Sequence, residues 1–151
     1  MSKGTETRER IIATSAPLFD RRGFEGCSLR DIVAAAGIER GSLYGHFANK
    51  EAVAVAAFRH AWRETCSSCT AGMSEVAGPI EKLKLHVHNA VVRPVFSGGC
   101  PLMNSIIDSD DENKALNKEA REALHSWKRS YGKVKNMVRS EPKSRLRMSS
   151  R

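Results

Sequence analysis

The sequence is short of the features that mark membrane, secreted and disulfide-rich proteins. Its longest apolar run, from Ala52 to Phe58, is far below the roughly 20 residues that a membrane-spanning helix needs. The N-terminus carries no apolar signal core, so secretion is not expected. The four cysteines are too few and too unevenly spaced for a disulfide framework. These absences favour a soluble protein of the reducing cytoplasm, with no membrane partner.

Strand patterns and known catalytic motifs are also missing. No segment shows the apolar–polar alternation that is typical of a β-strand, so an all-α chain is expected. The sequence contains no Gly-x-Ser-x-Gly, no phosphate-binding loop and no Gly-x-Gly-x-x-Gly behind a strand. We therefore expect neither an enzyme nor a bound cofactor.

Positive charge is abundant but unevenly distributed along the chain. The 25 Lys and Arg residues exceed the 17 Asp and Glu residues, which gives a net charge of +8. Residues 1–62 hold nine basic and seven acidic side chains, whereas residues 128–151 hold nine and one. An excess of this kind is typical of proteins with an anionic partner such as nucleic acid. Here, however, the net positive charge of residues 128–151 alone equals the +8 of the whole chain.

The first helix predicted from the sequence has a clear end and one internal disturbance. Thr5 or Thr7 is a candidate N-cap. Gly23 follows two arginines, the usual order at a helix C-terminus. Pro17 lies inside this helix and removes one backbone donor, so a kink is expected there.

Two short helices follow, joined by a glycine and a tight turn. Ser28 and Asp31 have capping-box spacing at the start of a helix near residues 29–36. Gly37 ends that helix, and a three-residue turn leads into the next one, near residues 41–47. This is a helix-turn-helix pattern, whose second helix enters the major groove of DNA.

A distinctive string of residues occupies the end of this pattern. It reads Leu-Tyr-Gly-His-Phe-Ala-Asn-Lys-Glu over residues 43–51, after Ser-Leu-Arg-Asp-Ile-Val at 28–33 and Ala-Gly-Ile at 36–38. With these segments, residues 8–62 resemble the N-terminal domain of the tetracycline-repressor (TetR) family of bacterial transcriptional regulators. The resemblance implies a three-helix DNA-binding domain over residues 1–50.

The resemblance implies contacts with the DNA backbone for four residues. Ser28 and Tyr44 match positions that usually hydrogen-bond phosphate oxygens, and His46 matches a position near the backbone. Lys50 matches a phosphate-contacting lysine, aided by the positive end of its helix. The structural alternatives are that Tyr44 only packs and that Lys50 is an ordinary lysine at a helix start.

Base contacts are implied for the region around the start of the second short helix. Arg30 and Arg40 match positions that read bases in some members, and an arginine fork suits guanine. Gly41 allows close approach to the groove, and Ser42 adds a polar side chain at the exposed end. The alternative for both arginines is that they are solvated surface charges.

The remaining chain predicts further helices, for which the family implies an effector and dimerisation domain over residues 51–137. Asn49 is a candidate N-cap of a long fourth helix that ends near Gly72. Later helices are expected near residues 80–95, 102–108 and 113–135, with an acidic turn over 108–112. Nine apolar residues could line an effector pocket or simply form core: Phe58, Trp62, Met73, Val87, Val91, Phe96, Met103, Ile106 and Trp127.

The cysteines offer a weaker signal of chemistry. Cys66 and Cys69 form a lone C-x-x-C without further ligands at a recognised spacing, so no metal site is predicted. Cys100 is the first candidate for a redox or electrophile sensor, because it precedes a helix start and a helix N-terminus lowers a thiol pKa. The alternative for all of them is a small buried residue.

The C-terminal end departs from the family pattern. Residues 138–151 are basic and poor in apolar residues, which is typical of a disordered tail. Family members usually continue with two helices that build the dimer bundle, so a shortened, incomplete C-terminal domain is expected here. The main hypothesis is a repressor that binds a palindromic double-stranded operator as a homodimer in the bacterial nucleoid and releases it with a small-molecule effector. The alternatives are a truncated monomeric DNA-binding module and a thiol-based sensor.

Overall fold

The chain folds into α-helices joined by short connections. A computed structural model describes residues 3–109 and 113–140. Within these ranges there are seven helices and no strand, which confirms the all-α prediction. No helix there is long and apolar enough to cross a membrane. The helices are α1 (Lys3–Arg22), α2 (Leu29–Ala36), α3 (Arg40–His46), α4 (Lys50–Thr70), α5 (Pro79–Val92), α6 (Pro101–Asp108) and α7 (Lys114–Ser140).

The helix boundaries around α2 to α4 confirm the sequence signals. The Ser28 hydroxyl oxygen accepts the Asp31 amide at 3.1 Å, and the Asp31 carboxylate accepts the Ser28 amide at 2.9 Å. Gly37 ends α2 in the left-handed region with φ of 59°, where a side chain would be strained. The Asn49 side chain accepts the Ala52 amide at 2.8 Å and caps α4. Local hydrogen bonds therefore fix both ends of the helix-turn-helix.

Two predictions about helix ends are wrong. Neither Thr5 nor Thr7 caps α1, because the helix already includes Lys3 and the Thr7 hydroxyl donates to the Lys3 carbonyl at 3.0 Å. As expected, α1 is not broken at Pro17 and ends at Arg22, directly before Gly23. α7 is longer than predicted and reaches Ser140, because apolar side chains continue at helical spacing beyond its expected end.

The predicted basic tail and the predicted acidic turn lie only partly within the described residues. Residues 138–140, assigned to the tail, are the last residues of α7. The rest of that tail, residues 141–151, lies outside the described residues. The same holds for residues 110–112 of the acidic turn.

Two main core clusters share α4. The first joins α1, α2, α3 and the start of α4, and its fully buried members include Ile11, Ile32, Leu43 and Val53. The second lies between α4, α6 and α7. It contains Ala54, Phe58, Leu102, Leu116 and Ala120. Because α4 packs into both clusters, it connects the helix-turn-helix mechanically to the remainder of the chain.

Candidate nucleic-acid interface and effector cavity

One side of α3 is buried and holds the helix in place. Leu43 is fully buried, and Phe47, directly after the helix, is 5% exposed. At about 100° per residue, the opposite side of the helix is centred on Gly41 and Gly45. A Cβ added at either glycine would meet no atom within 4 Å. No contact inside the chain therefore requires glycine at either position. Because glycine has no side chain, the middle of the outer face of α3 consists of backbone atoms alone.

Polar side chains border this glycine stripe on both sides. Arg40 and Tyr44 lie along one edge, and both are exposed. Their side chains touch: the Arg40 guanidinium carbon is 5.8 Å from the Tyr44 ring centroid, and Nη2 donates a long hydrogen bond of 3.5 Å to the hydroxyl. Ser42 and His46 lie along the other edge, half-buried. α3 thus presents a flat centre with donors on each side.

One predicted phosphate contact, Lys50, and one predicted base contact, Arg30, lie outside α3. Lys50 is the first residue of α4, and its Nζ lies 4.1 Å from the Phe24 ring centroid, which orients the ammonium group. Arg30 is exposed on α2. The structure thus places Lys50 at a helix N-terminus, where the backbone amides add positive potential.

The hydroxyl of Ser28 already makes hydrogen bonds at the start of its own helix, α2. Besides accepting the Asp31 amide, its hydroxyl donates to the Asp31 carboxylate at 2.6 Å. These hydrogen bonds, with the Arg22 guanidinium 3.3 Å away, lower the pKa of Asp31. A phosphate could accept from this hydroxyl only by replacing Asp31 as its acceptor. Capping is therefore the role of Ser28 in the free protein.

A cavity of about 720 Å³ lies in the second half of the chain. Its walls are stripes of residues at helical spacing on α4, α5 and α7, and the segment that leads into α6 borders it as well. Its volume lies within the range of about 300–1,000 Å³ that is typical of small-molecule sites. Both tryptophans of the chain, Trp62 and Trp127, line it.

The cavity includes four of the nine apolar residues singled out from the sequence. Trp62, Met73, Met103 and Trp127 line it. Of the others, Phe58 and Ile106 belong to the second core cluster and Phe96 packs near α1 and α4. The remaining two, Val87 and Val91, are exposed on α5.

Three helices meet at this cavity through specific contacts. His86 of α5 stacks edge-on against Tyr131 of α7, with ring centroids 5.5 Å apart. Tyr131 in turn contacts Trp127 at 4.7 Å. The buried Asn89 side chain donates to the carbonyls of Cys69 and Ala71 at 3.2 and 2.9 Å. Asn89 thereby satisfies carbonyls at the end of α4 and fixes α5 against it.

Three cysteines border the same cavity. Burial raises the pKa of the Cys66 thiol to about 11 and also raises the pKa of Cys69. Both are therefore protonated near neutral pH and are poor nucleophiles. Cys100 is exposed at the N-cap position of α6. Among the described residues, no group of three or more His, Cys, Asp or Glu is arranged to hold a metal ion.

Sequence reasoning missed two features of these sites. Gly45 shares the outer face of α3 with Gly41, and their spacing of four residues is the signal that could have revealed it. Lys82 of α5 and Arg93, directly after that helix, both line the cavity. No motif marks them, because their relation to the cavity depends on α4 and α7.

The geometry defines a class: an all-α protein with a helix-turn-helix, followed by helices around a small-molecule-sized cavity. Residues 11–57 match the model of bacterial regulatory proteins of the tetR family, and residues 79–140 match that of the tetracyclin repressor-like C-terminal domain. The chain belongs to the TetR family of transcriptional regulators.

Solved structures of family members share this fold. A TetR family transcriptional regulator from Cytophaga hutchinsonii is 39% identical and superposes with a TM-score of 0.81, over 90% of this chain and 70% of that one. A TetR regulator from Chloroflexus aurantiacus is 34% identical, with a TM-score of 0.82, over 93% of this chain and 74% of that one.

One relative of known sequence has a name that states its function. The transcriptional repressor DhaR of Mycobacterium sp. (strain GP1) is 21% identical over 129 residues, which is 85% of this chain. The chain spans 65% of that repressor's own length, just under two thirds.

Proposed function

We propose that this protein is a transcriptional repressor of the bacterial cytoplasm. It binds a palindromic double-stranded operator through α3 and releases it when a small molecule occupies the cavity. The observation that carries the proposal is the outer face of α3, where bare glycine backbone is bordered by polar side chains. The repressor name of DhaR and the family models support the same function.

The glycine stripe suits a helix that lies deep in the major groove. Without side chains at Gly41 and Gly45, the backbone can approach the base edges closely. Arg40 then reaches bases, for which a bidentate contact with guanine discriminates by about 1–3 kcal/mol. Tyr44 and Lys50 bind phosphates and set the orientation of the helix, with His46 near the backbone on the other edge.

Ser28 and Arg30 contribute from α2. We propose that Ser28 mainly caps the start of α2, and that its hydroxyl donates to a DNA phosphate only when the phosphate replaces Asp31 as the acceptor. Arg30, exposed one position into α2, contacts DNA beside the α3 site. Ser42 adds a donor at the groove edge.

Coupling between the cavity and α3 passes through α4 and through one polar contact. Cys66 and Cys69 of α4 border the cavity, whereas Lys50 at its other end faces the proposed DNA site. In addition, the Asp20 carboxylate at the end of α1 accepts the Gly98 amide at 2.6 Å and the Asn104 side chain at 3.2 Å. A ligand that displaces α4 or the segment before α6 therefore shifts α1 and α4 together.

A palindromic operator requires two copies of α3. We propose a homodimer with its two α3 helices about 34–36 Å apart, one turn of DNA. Light scattering of the protein alone and with operator measures the assembly. A strict monomer in both states would contradict this part of the proposal.

Glycine substitutions test the interface without removing any contact inside the chain. In a helix, alanine is more favourable than glycine by roughly 1 kcal/mol, so Gly45→Ala is expected to leave the fold intact or stabilise it. Its added methyl group lies where DNA would approach, so operator affinity is expected to fall about tenfold or more, a loss of roughly 1.4 kcal/mol. Fluorescence anisotropy with an operator selected from random DNA measures this affinity.

The matched control is Gly132→Ala on α7. Gly132 is also exposed, with nothing within 4 Å of an added Cβ. It is expected to gain stability without losing operator affinity. Equal operator affinity of the Gly45→Ala and Gly132→Ala variants would show that α3 does not enter the groove.

Side-chain substitutions separate base readers from phosphate contacts. Tyr44→Ala and Lys50→Ala are expected to weaken binding to all DNA sequences alike, because phosphates carry no sequence information. Arg40→Ala is expected to relax preference at particular base pairs. Because Arg40 and Tyr44 touch, the double variant should lose less than the sum of the single losses. A uniform loss from Arg40→Ala would assign that residue to phosphate.

A further inference from the structure

The lining of the cavity carries a charge of one sign. Two cationic side chains border it, Lys82 in the first turns of α5 and Arg93 directly after that helix. No aspartate or glutamate is among its described lining residues. Neither cation takes part in an ion pair within the described part of the chain. A bound anion would therefore meet positive charge that no carboxylate of the lining neutralises.

The space between these cations is apolar and uncharged. Burial lowers the pKa of His86, which favours a neutral imidazole, and the Cys66 and Cys69 thiols are protonated near neutral pH. The rest of the wall is built largely from aromatic and aliphatic side chains of α4 and α7, such as Trp127 and Leu124. A ligand must therefore have an apolar body to replace water along this wall.

The two ends of the cavity differ in how well they hold an anion. Lys82 is half-buried and lies near the N-terminus of α5, where the helix dipole adds positive potential. Arg93 is exposed, about 16 Å further along the same helix axis, where water screens its charge. The Lys82 end therefore offers the stronger site for a negative group.

We propose that the effector of this protein is an amphipathic anion, a carboxylate with an aliphatic or aromatic body, whose carboxylate pairs with Lys82. This inference rests on the proposed function, since it names the ligand class of the same cavity. Binding is noncovalent and combines burial of the apolar body with pairing of the carboxylate to Lys82. Arg93 attracts the anion at the other end of the cavity and contributes less.

Three probes of equal chain length and different charge test the proposal. Decanoate, decanol and decylammonium are titrated into the whole protein, and binding is followed by tryptophan fluorescence, because both tryptophans line the cavity. Decanoate is expected to bind about tenfold or more tighter than decanol, the effect of one charge-assisted hydrogen bond. Decylammonium should bind most weakly. Equal affinities, tightest binding of decylammonium or no response to any probe would overturn the proposal.

A matched pair of variants locates the charge. Lys82→Gln is expected to weaken decanoate binding about tenfold while leaving decanol binding unchanged, which also shows that the cavity remains folded. Lys84→Gln removes the same charge from a residue outside the lining that pairs with Glu81 at 2.8 Å. It should change neither affinity. Equal losses from both variants, or a loss of decanol binding with Lys82→Gln, would contradict a carboxylate site at Lys82.

Operator release separates this inference from the function on which it rests. If decanol or decylammonium releases the operator and decanoate does not, the proposed anion is wrong and the ligand-responsive repressor stands. If decanoate binds as expected without releasing the operator, the ligand class stands and the effector mechanism is wrong. A protein that binds no operator at all would contradict the repressor proposal alone.

Discussion

The helix-turn-helix half and the cavity half of this chain use apolar residues in opposite ways. In the first half, side chains such as Ile32 and Leu43 are completely buried, and α3 is held with one face outward. In the second half, large apolar side chains that line the cavity remain partly open to solvent, with Met103 51% and Trp127 39% exposed. A dense core fixes the position of a recognition helix, whereas an open arrangement leaves room for a ligand.

Truncation of one leucine in each half is expected to give the largest difference between them. Leu43→Ala leaves a cavity in a closed core and should cost about 2–5 kcal/mol of unfolding free energy. Leu83→Ala removes the same atoms from a half-buried residue beside an existing cavity, so a cost of about 1 kcal/mol is expected. Urea unfolding followed by circular dichroism measures both. Similar losses would mean that the cavity half is as tightly packed as the first.

The cap of α2 is expected to contribute a smaller amount. Ser28→Ala removes the side-chain acceptor of the Asp31 amide and should cost about 1 kcal/mol in thermal or urea unfolding. Ser42→Ala, within α3, is the control and should be neutral or slightly stabilising, since alanine favours helix. If Ser42→Ala lowered the stability as much as Ser28→Ala, the loss in Ser28→Ala could not be attributed to the helix cap.

The same cap predicts a dependence on pH. Because Ser28 lowers the pKa of Asp31, the carboxylate stabilises the fold above its unfolded pKa of about 3.9. That stabilisation is lost as the pH falls through the lower folded value. The stability difference between wild type and Ser28→Ala should therefore narrow in strong acid. A constant difference from pH 7 to pH 2 would contradict this linkage.

The smallest expected effect concerns His86 in the cavity half. Burial lowers its pKa in the folded state, so protonation favours unfolding, and stability should fall slightly as the pH drops below about 6.5. His86→Gln should flatten this dependence between pH 8 and 5.5 in thermal melts. His125→Gln, at an exposed position of α7, is the control. If the dependence of stability on pH were the same in the His86→Gln variant as in the wild type, that dependence would arise from other titratable groups.

Much of the first half could be predicted from the sequence because its signals act within one helical turn. The capping box of Ser28 and Asp31, the left-handed Gly37 and the cap at Asn49 depend on residues at most four positions away. The eight candidate DNA-binding residues remain predictions, and α3 carries five of them: Arg40, Gly41, Ser42, Tyr44 and His46. The threonine caps failed because α1 begins upstream of both threonines, at Lys3, and the Thr7 hydroxyl donates to the Lys3 carbonyl.

The cavity could be predicted only as a possibility. The apolar residues on α4, α5 and α7 have the helical spacing of ordinary core, and nothing local distinguishes Trp127, which lines the cavity, from Phe58, which fills the core. Cys66, Cys69 and Cys100 also come together only through the packing of α6 beside α4. Burial in this packing raises the thiol pKa values of Cys66 and Cys69.

The sequence by itself therefore determined the helices, the turn between α2 and α3 and the family to which the chain belongs. Only the tertiary structure decided which faces stay open: the glycine stripe of α3 and the cavity lining that holds Lys82 and Arg93. The physical reason is the distance along the chain over which the deciding interactions act. Caps and turns depend on hydrogen bonds between near neighbours, whereas a cavity depends on how helices distant in sequence pack and on the volume that they leave unfilled.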